Sequence, residues 1–229
     1  MPKPQDLKLP FVFAERQAII FDRLWYVPAR VDSPNFSFPG FADTALFGNE
    51  NPLFIEYCSG NGSWILDKAK RNPTNNYLAV EMCFERARKI WSKIHNMKLT
   101  NLVVAWAEGL QLTQKYIPQS CISGIYINFP DPWPKRRHAK YRIINQPFLQ
   151  EMHRILKPES CITTVTDHED YSKIMIQEFL SHKGFQSLIE APYFAEPTPD
   201  YGSSFFEELF KSKGKTIRLH SFAKVDQKS

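Results

Sequence analysis

Residues 53–62 read Leu-Phe-Ile-Glu-Tyr-Cys-Ser-Gly-Asn-Gly, and a helical pattern follows at Ser63–Arg71. The first five residues form an apolar run typical of a buried strand, and the small residues after them let the backbone turn tightly into a helix. Residues 77–81 are again strand-like. The stretch therefore predicts two parallel strands joined by a helix, with a right-handed crossover.

The same alternation continues along the chain. Further strands are predicted at 102–106, 122–129, 161–166, 185–189 and 217–225, and further helices at 84–97, 145–156 and 169–182. Strands that alternate with helices predict an α/β fold, with a mostly parallel sheet that binds ligands at the carboxyl ends of its strands. Residues 1–50 are rich in aromatic residues and proline, and we interpret them as an N-terminal extension packed on a main domain at 51–229.

Composition excludes several classes of protein. The chain has 229 residues, 43% of them hydrophobic, but no apolar run near the ~20 residues that span a bilayer. The polar N-terminus does not resemble a secretory signal. The four cysteines lack C-x-x-C spacing, which argues against a zinc ribbon: Cys58, Cys83, Cys121 and Cys161. We expect a cytoplasmic protein with reduced thiols, no membrane segment and no metal.

Acidic residues lie at or near the carboxyl ends of the first three predicted strands. Glu56 lies in the first strand, Glu81 ends the second and Glu108 follows the third. An acid about 20 residues beyond a glycine loop accepts hydrogen bonds from ribose hydroxyls, so the pattern fits NAD or S-adenosylmethionine. A Walker loop is excluded because no Gly-Lys-Ser/Thr follows. The other interpretation is that these acids are solvated or structural carboxylates.

The most specific stretch is Asn-Phe-Pro-Asp-Pro-Trp-Pro-Lys-Arg-Arg-His-Ala-Lys-Tyr-Arg at 128–142. Three prolines predict that Phe129, Asp131 and Trp133 are each held extended, so that a carboxylate stands beside an indole. Five basic residues and no acid follow at 135–142, which accounts for the whole net charge of +5. A rigid acid, a stacking surface and a cationic loop suit a base held within a nucleic acid. The alternative is a proline turn followed by a solvated basic run.

This stretch resembles the hallmark of the bacterial tRNA (guanine-N7-)-methyltransferases, and the resemblance runs from about residue 47 to residue 225 in the same order. It implies a class I S-adenosylmethionine-dependent methyltransferase fold, which is Rossmann-like with a seven-stranded sheet whose last strand is antiparallel. It also implies methylation of a guanine N7 in the tRNA variable loop. tRNA would be the partner, and the chain would act as a monomer or homodimer.

The resemblance also assigns roles to residues. It implies that Asp131 is the catalytic carboxylate, and that the cofactor contacts are Glu56, Ser59, Gly60, Gly62, Glu81, Glu108 and Asp131. The implied substrate contacts are Lys135, Asp167, Ser204, Phe206 and Glu207, and the implied tRNA contacts are Arg137, His138, Lys140 and Arg142. The family's loop begins with a glycine where this chain has Cys58, and a side chain there is strained if φ is positive.

Three other functions remain open from the sequence. A nicotinamide-dependent dehydrogenase would share the glycine loop and Glu81, but would not need the basic proline loop. A methyltransferase acting on an exocyclic amine could use a similar acid–proline–aromatic loop. A non-catalytic RNA-binding protein on a methyltransferase scaffold is the third possibility, and Cys58 is the one feature that favours it.

Overall fold

A computed structural model describes residues 3–10, 16–29, 32–202 and 205–225. The chain forms two units, Met1–Tyr116 and Ile117–Ser229, and each has its own strands and helices. Among the described residues, no helix combines the length and the apolar character needed to cross a bilayer.

The first unit contains five strands and three α-helices. The strands are β1 (Ile19–Phe21), β2 (Leu24–Tyr26), β3 (Leu53–Tyr57), β4 (Asn76–Glu81) and β5 (Leu102–Trp106). The helices are α1 (Ser63–Arg71), α2 (Phe84–Met97) and α3 (Gly109–Tyr116). The strands lie in the order β1-β2-β5-β4-β3, and all neighbours are parallel except the β1–β2 hairpin.

Burial explains why these segments form strands and helices. Every residue of β4 is buried, as expected for a parallel strand covered on both faces. Helix α2 buries the apolar stripe that its helical spacing predicts, including Ala87, Ile90, Trp91 and Ile94. The stripe holds the helix on the sheet, which places the start of α2 directly after the carboxyl end of β4.

The second unit contains four strands and three α-helices. The strands are β6 (Gly124–Asn128), β7 (Cys161–Thr166), β8 (Phe185–Ser187) and β9 (Arg218–Lys224). The helices are α4 (Gln146–Ile155), α5 (Glu169–Ser181) and α6 (Phe205–Lys211). The strands lie in the order β6-β7-β9-β8, and β9 runs antiparallel to both neighbours. Asn145 caps α4 by accepting a hydrogen bond from the Phe148 N–H, as predicted.

The seven predicted strands correspond to β3–β9, and the predicted antiparallel last strand is confirmed. The predicted strand at 122–129 is shorter, because Ile122 forms an isolated bridge with Leu156 and the ladder begins at Gly124. The sequence did not predict β1, β2, α3 or α6. Strand β2 is fully buried and pairs with β5, so part of the N-terminal fifty residues extends the sheet. A domain boundary at residue 50 stays a prediction.

The segment after Pro192, considered from the sequence as a lid, is attached at two points. Ala195 exchanges both backbone hydrogen bonds with Leu219, and the Tyr201 hydroxyl donates to the Asn128 side-chain oxygen at 2.6 Å. Residue 203 lies outside the described residues. A lid function stays a prediction.

A buried histidine joins three elements of the second unit. His220 on β9 is completely buried, and its ring nitrogens lie 3.1 Å from the Thr164 hydroxyl on β7 and 2.8 Å from the Ser172 hydroxyl on α5. Burial lowers the pKa of His220 to about 4. The ring is therefore neutral in the folded protein at neutral pH, where its two nitrogens are satisfied by hydroxyl groups.

This low pKa predicts a loss of stability in mild acid. An unfolded histidine has a pKa of about 6.5, so the unfolded state binds more protons than the folded state between about pH 6.5 and about pH 4. As the pH falls through this window, titration of His220 should lower the free energy of unfolding by up to about 3 kcal/mol. The measurement is urea unfolding of the wild type and of His220→Gln across this range, with His138→Gln as the matched control. An equal pH dependence in the wild type and His220→Gln would contradict the assignment.

Candidate functional site

The loop between β3 and α1 has an unusual backbone. The φ angles of Cys58, Gly60 and Gly62 are 58°, 56° and 71°, all in the left-handed region. A Cβ at Gly62 would lie 2.7 Å from the Ile90 side chain, so glycine is required there for space as well as for conformation. Cys58 also has a positive φ, although it carries a side chain whose Cβ makes this conformation strained.

Glu81 holds this loop from the neighbouring strand. It is buried at the end of β4, and its two carboxylate oxygens accept hydrogen bonds from the Gly60 and Cys83 N–H groups, each at 2.8 Å. Burial raises the pKa of Glu81, and the two N–H donors oppose that shift. Each carboxylate oxygen has two acceptor positions, so Glu81 can accept a further hydrogen bond from a ligand hydroxyl.

The other two predicted acids lie at the same ends of their strands. Glu56 is buried on β3, and its backbone carbonyl accepts a hydrogen bond from the Ser59 hydroxyl at 2.8 Å. Glu108 is exposed and caps α3, because its two oxygens accept from the N–H groups of Leu110 and Gln111 at 3.1 and 2.7 Å. This cap also explains α3, which the apolar spacing alone did not predict.

One feature at this end of the first unit was not predicted from the sequence. Met82, directly after Glu81, leaves 73% of its surface exposed. The Trp106 indole N–H donates to the Met82 backbone carbonyl at 3.1 Å, and the Trp106 ring packs against Tyr26 and Phe84 with centroids 4.3 and 4.4 Å away. An exposed methionine side chain offers an apolar surface to a ligand. Its position directly after the strand-end acid Glu81 is the sequence feature from which it could have been predicted.

In the second unit, Asp131 follows the carboxyl end of β6. Its carboxylate is exposed, and among the described residues it has no hydrogen-bond or ion-pair partner. The prediction that Phe129 and Trp133 are held extended is wrong, because their φ angles are 51° and 43°. Each such angle costs a non-glycine residue roughly 1–2 kcal/mol, so contacts from other parts of the chain must hold the loop.

Those contacts come from aromatic rings and from Arg142. Trp133 packs against His138 and Tyr141, with ring centroids 5.6 and 5.3 Å apart, so the indole is half-buried instead of standing free beside Asp131. The Arg142 guanidinium donates to the carbonyls of Pro132 and Trp133 at 2.9 and 3.1 Å. The basic segment therefore folds back on the proline loop.

The basic segment itself is a 3-10 helix over Arg136–Tyr141. Lys135, Arg136, Arg137 and Lys140 are exposed, and His138 is half-buried. Within the described part of the chain, none of these side chains forms an ion pair with a carboxylate. Their charge is therefore available to an anionic partner.

Asp167, predicted to contact substrate, follows β7 and forms an ion pair with Lys215. The Lys215 ammonium lies 4.5 Å over the Phe210 ring, and Phe210 packs against Phe129 with centroids 5.6 Å apart. This chain of contacts connects Asp167 to the start of the Asp131 loop. Of the other predicted substrate contacts, Ser204 lies outside the described residues. Phe206 and Glu207 are on α6, but the structure does not describe their side chains.

In the described ranges, no group of three or more His, Cys, Asp or Glu side chains is arranged to hold a metal ion.

The left-handed loop predicts opposite effects for two substitutions. Cys58→Gly should stabilise the protein by about 1 kcal/mol, because glycine adopts a positive φ without the steric cost that a Cβ adds. Gly62→Ala should destabilise it by about 2 kcal/mol or more, through its φ and its clash with Ile90. Urea unfolding of both variants measures these changes. A destabilised Cys58→Gly protein would show that the cysteine side chain contributes more than its backbone strain costs.

Comparisons with known proteins agree with this geometry. Residues 50–219 match the model of a family described as putative methyltransferases. The chain is 40% identical to a tRNA (guanine-N(7)-)-methyltransferase of Chlamydia abortus over 97% of this chain and 98% of that protein. Its fold resembles the 16S rRNA methyltransferase KamB, with a TM-score of 0.57, 14% identity and coverage of 77% and 89% of the two chains. It also resembles a SAM-dependent methyltransferase from Aquifex aeolicus, with a TM-score of 0.51, 13% identity and coverage of 76% and 82%.

The fold is therefore that of the class I S-adenosylmethionine-dependent methyltransferases, and the chain belongs to the bacterial tRNA (guanine-N7-)-methyltransferase family.

Proposed function

We propose that the protein transfers a methyl group from S-adenosylmethionine to N7 of a guanine in the variable loop of tRNA. The observation that carries the proposal is the exposed Asp131 carboxylate on a clamped proline loop, followed directly by exposed cations. Membership of the family supports the same substrate and atom. A dehydrogenase has no need of this loop, so the glycine loop is better interpreted as a methyltransferase loop.

The first unit supplies groups that fit the cofactor. When bound, S-adenosylmethionine supplies the methyl group from its sulfonium sulfur. Glu81 would accept from the ribose hydroxyls, Glu56 would face the methionine ammonium, and Glu108 would accept from the adenine amino group. Ser59, Gly60 and Gly62 would bring the backbone close to the cofactor, and the exposed Met82 would cover one face of the adenine.

Guanine N7 carries an in-plane lone pair and no proton, so the reaction needs no general base. The base becomes cationic as the new N–C bond forms, and a carboxylate beside it stabilises the developing charge. Asp131 would provide this carboxylate, or accept from the guanine N1–H and N2–H₂ groups. Asp167 and Glu207 are the other acids for those donors, and Lys135, Ser204 and Phe206 complete the proposed substrate contacts.

Arg137, His138 and Lys140 would contact tRNA phosphates, because phosphate binding is mainly electrostatic and independent of sequence. We place the protein in the cytoplasm, acting without a metal ion as a monomer or a homodimer. These assignments rest on the resemblance and on composition.

The direct test uses unmodified tRNA transcripts and methyl-labelled S-adenosylmethionine, followed by chain cleavage specific for 7-methylguanosine. We expect label in tRNA and cleavage at one guanine of the variable loop. Label on an exocyclic amine would show that the target atom is an amino nitrogen instead of N7. Tight tRNA binding without any label would favour a non-catalytic RNA-binding protein.

The role of Asp131 predicts a specific kinetic defect. Asp131→Asn keeps the size of the side chain but removes its charge, so we expect kcat to fall by about 100- to 1000-fold, as for loss of a charge-stabilising group. Binding of S-adenosylmethionine, measured by calorimetry, should be retained. Asp170→Asn, on the exposed first turn of α5, is the matched control and should keep wild-type kcat. Full activity of Asp131→Asn would remove Asp131 from the mechanism.

A further inference from the structure

The proline loop has a shortage of hydrogen-bond donors. Pro130, Pro132 and Pro134 carry no N–H, so within the five residues 130–134 only Asp131 and Trp133 have backbone donors. A loop of this kind is held most directly through its carbonyl oxygens, which require donors from elsewhere in the chain. Its two positive φ angles, at Phe129 and Trp133, make such external support necessary.

Arg142 supplies those donors. Its Nε donates to the Pro132 carbonyl at 2.9 Å, and its Nη2 donates to the Trp133 carbonyl at 3.1 Å. Arginine suits this contact because its planar guanidinium presents several N–H groups in a fixed fork. Both acceptors come directly after Asp131, so the fork fixes the backbone on the C-terminal side of the proposed catalytic carboxylate.

Arg142 is itself held in place. Its guanidinium lies 5.7 Å from the ring of Tyr171, a buried residue on α5. Its backbone N–H donates to the Ala139 carbonyl at 3.1 Å, and its carbonyl accepts from the Asn145 side chain at 2.9 Å. Asn145 also caps α4, so the arginine is anchored to both α4 and α5.

The other cations of the segment are arranged differently. Lys135, Arg136, Arg137 and Lys140 are exposed, whereas the guanidinium of Arg142 is partly buried with two of its nitrogens donating to its own loop. The resemblance implied a tRNA contact for Arg142 together with Arg137 and Lys140. The geometry separates Arg142 from them.

We propose that Arg142 is a positioning residue for methyl transfer, which holds the proline loop so that the Asp131 carboxylate meets the target guanine. The inference rests on the proposed function for its kinetic consequences, but the clamp itself is a property of the free protein.

The test compares Arg142→Ala, Arg142→Lys and the matched cation variant Lys140→Ala. We expect Arg142→Ala to lower kcat by about 100-fold, because a small displacement of a reacting group costs this much. Arg142→Lys should show an intermediate kcat, because an ammonium keeps the charge but loses the fork. S-adenosylmethionine binding should be unchanged in all three. If Arg142→Ala fails to fold, Arg142→Lys carries the comparison.

The salt dependence of tRNA binding separates a clamp from a phosphate contact. Each lost phosphate contact reduces the slope of log K against log salt by about 0.7 to 0.9. We expect this reduction for Lys140→Ala and an unchanged slope for both Arg142 variants. Added guanidinium ion at a low concentration should partly restore the lowered kcat of Arg142→Ala. It should not raise the kcat of Lys140→Ala. A reduced slope with wild-type kcat in Arg142→Ala would overturn the proposal.

One measurement remains decisive if the wild type does not methylate tRNA at all. Hydrogen exchange of a peptide covering residues 129–145 reports the order of the loop without any substrate. We expect faster exchange in both Arg142 variants than in Lys140→Ala. Equal exchange in all three variants and the wild type would overturn the clamp, whereas faster exchange with no methylation would overturn only the proposed function.

Discussion

A loop that contains three prolines in five positions can accept backbone hydrogen bonds more readily than it can donate them, and the Asp131 loop is built around this constraint. Its carbonyls at Pro132 and Trp133 are held by the guanidinium of Arg142. The loop then tolerates two left-handed residues while keeping the Asp131 carboxylate exposed. Proline alone restricts local conformation, but the external arginine selects which conformation is kept.

The glycine loop of the first unit is likewise held in a left-handed conformation by a charged side chain. Its left-handed backbone is held by Glu81, which accepts from Gly60, and it is closed by Ile90, which leaves no room for a Cβ at Gly62. Glu81 thus has a structural role in addition to the proposed contact with ribose, since one carboxylate can serve both. In both units, a loop that follows a buried strand takes a costly backbone conformation that a charged side chain fixes.

The sequence predicted most of the fold because the pattern of buried strands is local. Strands β3–β9 and the α4 cap follow from apolar runs and from Asn145, and these predictions are confirmed. Helix α3 was missed because its start depends on the Glu108 cap more than on an apolar stripe. The β1–β2 hairpin was missed because its strands are only three residues long, and because β2 pairs with β5, which lies far along the chain.

The site was predicted less completely, for a physical reason. Residue types indicate which side chains can bind an anion or a base, but not which of them are already used within the fold. Arg142 looks like its exposed neighbours in the sequence, yet its donors are engaged by carbonyls nine and ten residues away. The extended conformations predicted for Phe129 and Trp133 are wrong for the same reason, because that clamp and the ring contacts override the local preference before proline.

The most direct test of this account is a structure of the full chain with tRNA and S-adenosylhomocysteine, in which the position of the Asp131 carboxylate is measured against the target guanine. We expect a carboxylate oxygen to lie within hydrogen-bond distance of the base, about 3 Å, while Arg142 still donates to the Pro132 and Trp133 carbonyls. A guanine bound away from Asp131, with Arg142 released from the loop onto a phosphate, would contradict it.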